Sequence, residues 1–335
     1  MLTVRTNLPD DFLYASAGGL HQILPGPTLF HLPGRRAEPL FVSVLLHGNE
    51  DTGLKAIQAV LGEYRIRQLP RAVSLFVGNV QAAAQGLRRL DGQPDFNRVW
   101  PGAGTETLPE HAMMREVVAQ MRARRVFASI DLHNNTGLNP HYACVNRVDP
   151  AFLHLAMLFS RIVVYFKRPL GVQSAAFADL CPAVTLECGK PGNQSGEMHA
   201  AECLEAALHL EHFPQHPVPK HDIDLYHTIG IVKVPEDVSF TFGDDDAAIR
   251  FETDLDHMNF RDLPAGTRIA QVVSDSTAPL QVMDEDGREV FERYFEVRNG
   301  ELRTRRVVMP AMLTLNERVI RQDCLCYLME RLAPP

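Results

Sequence analysis

The sequence has no long apolar run. The longest one, residues 40–46, is interrupted by Ser43 and is far shorter than the about 20 residues that an α-helix needs to cross a bilayer. The first residues also carry no apolar core of the kind found in a signal peptide. The sequence therefore predicts neither a membrane protein nor an exported one, and we expect a cytoplasmic enzyme.

Long runs of one charge sign are missing as well. The chain has 33 Lys and Arg residues against 41 Asp and Glu residues, which gives a formal net charge of -8, and both signs are spread along its 335 residues. Proteins that bind nucleic acids or anionic membranes concentrate basic residues in patches. We therefore expect no nucleic-acid partner and no membrane partner.

The six cysteines form no C-x-x-C pair; they stand at positions 144, 181, 188, 203, 324 and 326. Large chains that are not secreted rarely use a disulfide framework, so reduced and mostly buried thiols are expected. Cys188 has no histidine beside it in the sequence, and this disfavours a role as a catalytic nucleophile. The sequence also lacks internal repeats and low-complexity tracts.

Apolar runs typical of buried strands alternate with amphipathic helical runs over the first 210 residues or so. Strands are predicted over residues 40–46, 72–77, 126–132, 161–166 and 183–186. Helices are predicted over residues 52–64, 110–124, 151–159 and 197–210. This alternation predicts an α/β layer with a parallel or mixed sheet flanked by helices.

The pattern changes after residue 210. Residues 212–221 are rich in proline and histidine and are typical of a linker; the histidines at 209, 212, 216 and 221 are expected on a solvated connector, not in a metal site. Strand-like runs then follow over residues 229–234, 238–242, 267–273, 290–297 and 305–308. We therefore predict an α/β catalytic domain over residues 1–212 and a β-rich domain over residues 213–335.

Three short polar strings stand at the ends of the predicted strands. They are His-Gly-Asn-Glu at residues 47–50, Asp-Leu-His at residues 131–133 and Thr-Leu-Glu at residues 185–187. The carboxyl ends of parallel strands meet at one edge of a sheet, where α/β proteins bind ligands. Each string taken alone fits an ordinary turn. The chance occurrence of such strings at the ends of all these strands is much less probable.

Two histidines and one carboxylate are the ligands of a catalytic zinc site with an open fourth position. The sequence therefore predicts one zinc ion per subunit, bound by His47, Glu50 and His133. Glu187, on a further strand end, is predicted to be the general base of a metal-dependent amide hydrolase.

A fourth string, residues 95–102, supplies groups suited to a substrate carboxylate. Arg98 offers a guanidinium fork, and Asn97 adds an amide donor beside it. Asp95 is a candidate for the residue that holds the second nitrogen of a zinc-bound imidazole. A surface ion pair in a loop is the other interpretation of this string.

In their order, the motifs H-x-x-E, D-x-N-R, D-L-H-N-x-T and T-x-E-x-G resemble the succinylglutamate desuccinylase/aspartoacylase branch of the zinc carboxypeptidase superfamily. Residues 259–260 and 264–267 are similar to the C-terminal β domain of that branch. The resemblance implies a zinc-carboxypeptidase-like mixed sheet, the zinc ligands and general base given above, and a substrate carboxylate bound by Asn97 and Arg98. It also implies that Arg89 polarises the scissile carbonyl, with Arg88 as a rival, and it leaves the role of Arg168 open.

The resemblance implies hydrolysis of the amide bond, or of an ester, in a small acylated amino acid that carries a carboxylate. Trp-Pro-Gly at residues 100–102 has some likeness to carboxypeptidases that act on peptides or cell-wall fragments, which is the alternative function. A non-catalytic binding protein on the same fold is disfavoured because all the chemical positions are filled. The sequence leaves the acyl group, the amino acid and the oligomeric state open, a homo-oligomer included.

Overall fold

The computed structural model describes residues 1–104, 107–243, 246–273 and 279–333. The chain forms two compact units. Met1–Asn134 and His141–Leu225 belong to the first unit, and Asn135–Pro140 and Tyr226–Leu332 belong to the second. The predicted boundary at residue 212 lies before the point where the first unit ends, and the division into domains stays a prediction.

The first unit contains a mixed sheet with the strand order β1-β2-β4-β3-β5-β8-β6-β7. Its strands are β1 (Thr3–Arg5), β2 (Thr28–Leu32), β3 (Gly34–Val44), β4 (Leu69–Val77), β5 (Ala128–His133), β6 (Tyr142–Val145), β7 (Ile162–Tyr165) and β8 (Ala183–Glu187). The four central strands β4, β3, β5 and β8 run parallel to one another. Strands β3, β5 and β8 therefore end at the same edge.

Helices cover this sheet because each of them buries an apolar stripe. The helices of the first unit are α1 (Thr52–Glu63), α2 (Val80–Ala83), α3 (Pro109–Ala123), α4 (Pro150–Met157), α5 (Gln173–Phe177) and α6 (Gln194–His209), with 3-10 turns at Phe12–Tyr14 and Ala17–Gln22. Helix α1 lies directly on β5: a Cβ atom on Gly53 would stand only 2.6 Å from the Cβ of Leu132. A side chain at residue 53 would therefore push the helix off the strand that carries His133.

The second unit is rich in strands, as the sequence predicts. Strands β9 (Asp224–Lys233), β13 (Gln281–Met283), β16 (Met309–Ala311) and β17 (Cys326–Arg331) form one group, in which β13 and β17 pair with β9 and β16 pairs with β17. A five-stranded sheet contains β10 (Phe240–Phe242), β11 (Ile249–Phe251), β12 (Arg268–Val272), β15 (Glu301–Thr304) and β14 (Phe295–Arg298) in that order. A 3-10 turn at Leu255–Met258 and the helices α7 (Phe291–Tyr294) and α8 (Glu317–Gln322) complete the unit.

Two of the strands predicted for the second unit differ from the structure: the one over residues 290–297 is right only from Phe295 onward, where β14 begins, and the one over residues 305–308 is wrong. Residues 291–294 form helix α7, whose first amide, Phe291 N–H, is bound by the Glu289 carboxylate at 3.1 Å. Residues 305–308 lie between β15 and β16; there the Arg305 amide, just beyond the end of β15, donates to the Tyr294 carbonyl at 2.7 Å, and Val308 forms only an isolated bridge. Residues 307–308 are the only adjacent apolar residues there, and two residues are too few to show from sequence whether the strand precedes or follows them.

All six cysteines are free thiols, and five of them are buried. Within the described ranges, no helix is both long and apolar enough to cross a membrane.

Candidate metal centre

The predicted metal ligands come together at the edge of the sheet where β3 and β5 end. His47 and Glu50 follow β3 in a turn, and His133 is the last residue of β5, the neighbour of β3. Gly48 allows the turn to pack closely, because a Cβ atom there would stand 2.2 Å from the backbone nitrogen of Ala83. All three ligand side chains are buried.

The Glu50 carboxylate lies between the two imidazole rings. Its Oε1 atom is 2.8 Å from His47 Nδ1, and its Oε2 atom is 2.7 Å from His133 Nδ1. One nitrogen or oxygen from each of the three residues falls within 4.8 Å of the others, and within the described part of the chain this is the only group of three or more such residues that could hold a metal ion.

Both rings face a second carboxylate with their other nitrogen. His47 Nε2 is 3.0 Å from Asp95 Oδ1, and His133 Nε2 is 2.8 Å from Asp131 Oδ2. A carboxylate only accepts hydrogen bonds, so each aspartate holds a proton on Nε2, and a metal ion that takes the place of the Nδ1 proton would be bound by the lone pair of that nitrogen. Asp95 therefore lies where the sequence predicts it, against the outer nitrogen of an imidazole, that of His47. Asp131 has the corresponding position at His133.

The surroundings of these rings favour positive charge. Burial alone would lower the pKa of His133, but the Asp131 and Glu50 carboxylates outweigh it and raise that pKa well above its ordinary value. Burial would likewise raise the pKa of Glu50, yet the two histidines hold it far below its ordinary range. Two imidazole nitrogens and an ionised carboxylate in such a pocket match the donors that zinc prefers.

Glu187, the predicted general base, is the last residue of β8. Strand pairing sets it beside the metal ligands: His133 and Glu187 are register partners across β5 and β8, and the Cys188 amide donates to the His133 carbonyl at 2.9 Å. The Glu187 side chain is 8% exposed. A carboxylate in this position is near the metal ligands without being one of the three.

Comparison with known proteins identifies the family to which this arrangement belongs. Residues 38–213, more than half of the chain, match the model of the succinylglutamate desuccinylase/aspartoacylase catalytic domain. This chain belongs to that family. The family resemblance predicted from the motifs is therefore confirmed, and members of the family, such as desuccinylases and aminoacylases, are hydrolases. No curated protein matches the chain significantly.

Solved structures of the succinylglutamate desuccinylase/aspartoacylase family share the fold. The succinylglutamate desuccinylase of Chromobacterium violaceum is 20% identical, with a TM-score of 0.56 over 90% of this chain and 87% of that chain. Murine aminoacylase 3 is 17% identical, with a TM-score of 0.57 over 89% and 96%. The ectoine utilization protein of Ruegeria pomeroyi is 14% identical, with a TM-score of 0.56 over 91% and 88%. The predicted mixed α/β fold with further β-rich structure is confirmed.

Of the two candidate arginines, Arg88 lies beside the candidate metal ligands. Its Nη2 atom donates to Asp95 Oδ2 at 2.9 Å, and its Nη1 atom lies 3.8 Å from Glu50 Oε1. Arg89, which the sequence prediction preferred, donates from Nη1 to the Gln93 carbonyl at 2.6 Å. The side chains of Arg88 and Arg89 thus point in different directions, and the spacing of residues in the sequence does not show which of the two faces the site.

Asn97 and Arg98, predicted to bind a substrate carboxylate, stand beside the same cluster. The side-chain oxygen of Asn97 accepts from the Gln173 backbone N–H at 2.9 Å, and its side-chain nitrogen lies 3.1 Å from His133 Nε2, the nitrogen that also faces Asp131. The Arg98 guanidinium is partly exposed and donates to the backbone carbonyl of Asn97 at 2.8 Å. Asn97 is thus largely engaged by the protein, and Arg98 is the more accessible of the pair.

Asp131 was not predicted as a site residue, although it lies in the Asp-Leu-His string. Residues two apart on a strand point to the same face, so Asp131 and His133 share a face of β5. Asp131 is fully buried and accepts from the Ser43 hydroxyl at 2.7 Å on β3. The period-two spacing was the signal that could have identified it.

Proposed function

We propose that this chain is a zinc-dependent hydrolase that cleaves the amide bond of a small N-acylated amino acid. The observation that carries the proposal is the orientation of the two histidines: both turn Nδ1 toward Glu50, and both have Nε2 against an aspartate that is at most 10% exposed. Such outer carboxylates are the usual partners of metal-bound histidines. A structural salt-bridge cluster would not require the same nitrogen of both rings to face one carboxylate.

His47, Glu50 and His133 would hold the zinc ion, one per subunit. When bound, zinc supplies a Lewis acid that polarises a carbonyl group and lowers the pKa of water toward about 7. The three protein ligands leave a coordination position open, as catalytic zinc sites require.

Glu187 moves the proton in this proposal. Its carboxylate accepts a proton from the water that attacks the amide carbon, and it later returns that proton to the leaving nitrogen, so that the acid and the amine are released without a net change in Glu187. Support for this role comes from its place beside His133 across the strand pair.

The remaining residues bind and orient the substrate. Arg88, held by Asp95, presents a fixed positive charge near Glu50 and would stabilise the negative charge that develops on the carbonyl oxygen. Arg98, with Asn97 beside it, would bind the substrate carboxylate and so orient the scissile bond. The desuccinylase and the aminoacylase among the structural neighbours support an acylated amino acid as the substrate.

The alternative function, a carboxypeptidase that acts on peptides, was suggested by the Trp-Pro-Gly string at residues 100–102, and the position of Trp100 does not support it. Trp100 is fully buried, and its ring packs edge-on against Phe41, Phe76 and Phe177 at centroid distances of 5.8–6.4 Å. Because it belongs to the core, it does not line a groove for peptides. The cytoplasmic location and the oligomeric state stay predictions.

Substitution of Glu187 tests the proposed function. Glutamine keeps the shape of the side chain but does not accept a proton at neutral pH. For Glu187→Gln we expect full zinc content and a kcat for acetyl- or succinyl-amino acids that falls by about 10²–10⁴-fold, the range for a positioned acid/base group. Near-normal turnover in this variant would contradict the mechanism, and loss of zinc would make Glu187 a ligand.

The matched control is Glu205→Gln. Glu205 is a partly buried glutamate on α6 whose carboxylate accepts a hydrogen bond from the Tyr64 hydroxyl. This change removes a carboxylate from the same unit without touching the metal centre, so zinc content and kcat should both stay at the wild-type values.

A further inference from the structure

Asn134, the residue after the candidate ligand His133, is buried and hydrogen bonded to three residues around the site. Its backbone N–H donates to Glu50 Oε2 at 3.0 Å. Its side-chain nitrogen donates to Thr52 Oγ1 at 2.8 Å and to the Gly189 carbonyl at 2.7 Å. Its side-chain oxygen accepts from the Thr52 backbone N–H at 3.2 Å.

The partners fix the orientation of this amide. The Gly189 carbonyl can only accept, and the Thr52 backbone N–H can only donate, so a flipped Asn134 amide would place an oxygen against a carbonyl and an NH₂ group against an N–H. Both amide hydrogens are used. Asn134 is only 4% exposed, and no other side chain of similar size supplies two donors and an acceptor in this arrangement.

The two side-chain partners lie directly after the residues that perform the chemistry. Thr52 is the first residue of α1, two positions after the ligand Glu50, and Gly189 comes two positions after Glu187. The backbone pairing between β5 and β8 extends to the bond between the Cys188 amide and the His133 carbonyl. The Asn134 side chain adds one further connection beyond that bond.

We propose that Asn134 is a positioning residue that fixes the general base Glu187 relative to the metal ligands. This inference rests on the proposed function. Asn134 ties the segment that follows Glu187 to the start of α1, which follows Glu50, while its own backbone orients the Glu50 carboxylate. A displacement of about 1 Å between reacting groups can lower a rate about 100-fold, so such a connection matters for turnover.

Asn134→Ala separates positioning from metal binding. The backbone N–H that holds Glu50 is kept, so zinc content should stay at the wild-type value. The side-chain links are lost, so amide hydrogen exchange over residues 188–192 should become faster. With zinc saturating, kcat should fall by about 10–100-fold, the usual cost of losing an outer partner in a metal site, while KM changes little.

Asn134→Asp tests whether the amide donors matter. The side chain is almost isosteric, but a carboxylate oxygen then faces the Gly189 carbonyl, and both donors are gone. We expect a loss of kcat at least as large as in Asn134→Ala. A kcat near wild type in this variant would show that volume alone suffices and would overturn the proposal.

Asn259→Ala in the second unit is the control for lost buried hydrogen bonds. Asn259 is 6% exposed and also makes three side-chain bonds, to the Asp256 carbonyl and to both backbone polar groups of Leu313. Its loss should leave exchange over residues 188–192 unchanged. Equal exchange there in Asn259→Ala and Asn134→Ala, or a zinc content that falls in step with kcat in Asn134→Ala, would overturn the positioning role.

Thr52→Val provides a milder version if Asn134→Ala fails to fold. It removes one of the three side-chain links and keeps the Thr52 backbone donor, so a smaller change in the same direction is expected. If the wild-type protein hydrolysed no acyl-amino acid, the proposed function would fail, yet the exchange and zinc measurements would still decide the role of Asn134.

Discussion

The two histidines of the candidate metal centre are held by different kinds of structure. His133 and Asp131 are both part of β5, and Ser43 on the neighbouring β3 donates to Asp131; we call these three residues the strand side. The Asp131 side chain is 0% exposed. The strand side is therefore fixed by backbone pairing in the middle of a parallel sheet.

On the other side, His47, Arg88 and Asp95 all lie outside helices and strands; we call them the loop side. Asp95 accepts from Arg88 as well as from His47, and its side chain is 10% exposed. Burial would raise the pKa of Asp95, but His47 and Arg88 lower it well below its ordinary value. The loop side therefore places a cation, Arg88, near the candidate metal ligands. On the strand side, Asp131 is bonded to Ser43 and His133 instead of an arginine.

This difference suggests a division of labour. Strands supply rigid geometry for a ligand, whereas loops at the sheet edge bring charged groups that face a substrate. We expect the strand side to govern metal binding and the loop side to contribute to both metal binding and turnover.

The largest effect is expected from the ligands themselves. His133→Ala and His47→Ala should each reduce zinc content from about one ion per chain to near zero, because a three-ligand site does not survive the loss of one imidazole. Elemental analysis after dialysis measures this. Zinc retained in His47→Ala alone would mean that the ion is bound by the strand side without the loop side.

His31→Ala is the control for these two variants. His31 is a buried histidine of β2 that pairs with Ser74 Oγ and Gln120 Oε1, both at 2.9 Å. It is not part of the ligand group, so its removal should leave zinc content unchanged.

The arginines of the loop side come next. Arg88→Ala should lower kcat by about 10²–10³-fold, the effect of losing one group that stabilises an oxyanion, while Arg89→Ala should stay near wild type because Arg89 is bound to the Gln93 carbonyl. Steady-state kinetics with zinc saturating compare the two. The reverse ranking would mean that Arg89 acts in the site and that Arg88, the arginine bound to Asp95, has no role in turnover.

Sequence and structure agree more closely on the strand side. Periodicity and apolar runs predicted β5 and β8 to within one or two residues, so the placement of His133 and Glu187 at strand ends followed directly from the sequence. The choice between Arg88 and Arg89 did not follow, because residues 84–108 contain no helix or strand in the described ranges that would fix which way a side chain points. Loop conformation depends on packing that the sequence pattern does not encode.

The same reason explains Asn134. The string Asp-Leu-His-Asn was visible in the sequence, but its partners Thr52 and Gly189 are separated from it by 82 and 55 positions. Hydrogen bonds over such separations emerge only when β3, β5 and β8 are assembled.

The smallest effects should separate the two aspartates. Asp131→Asn and Asp95→Asn each replace the carboxylate behind a histidine by a neutral amide, and each should weaken zinc binding by about 10–100-fold, as measured by competition with a chelator. With zinc saturating, however, kcat should be close to wild type in Asp131→Asn. The Ser43 hydroxyl can turn to accept from the new amide, so the strand side keeps its geometry.

Asp95→Asn should differ because of Arg88. If the new amide oxygen keeps its bond to His47, the amide nitrogen faces the guanidinium, and two donors cannot bond to each other. Arg88 then loses its carboxylate partner, so kcat should fall even when zinc is saturating. A kcat that recovers fully in Asp95→Asn would show that Asp95 serves His47 alone, and it would remove the proposed difference between the loop side and the strand side.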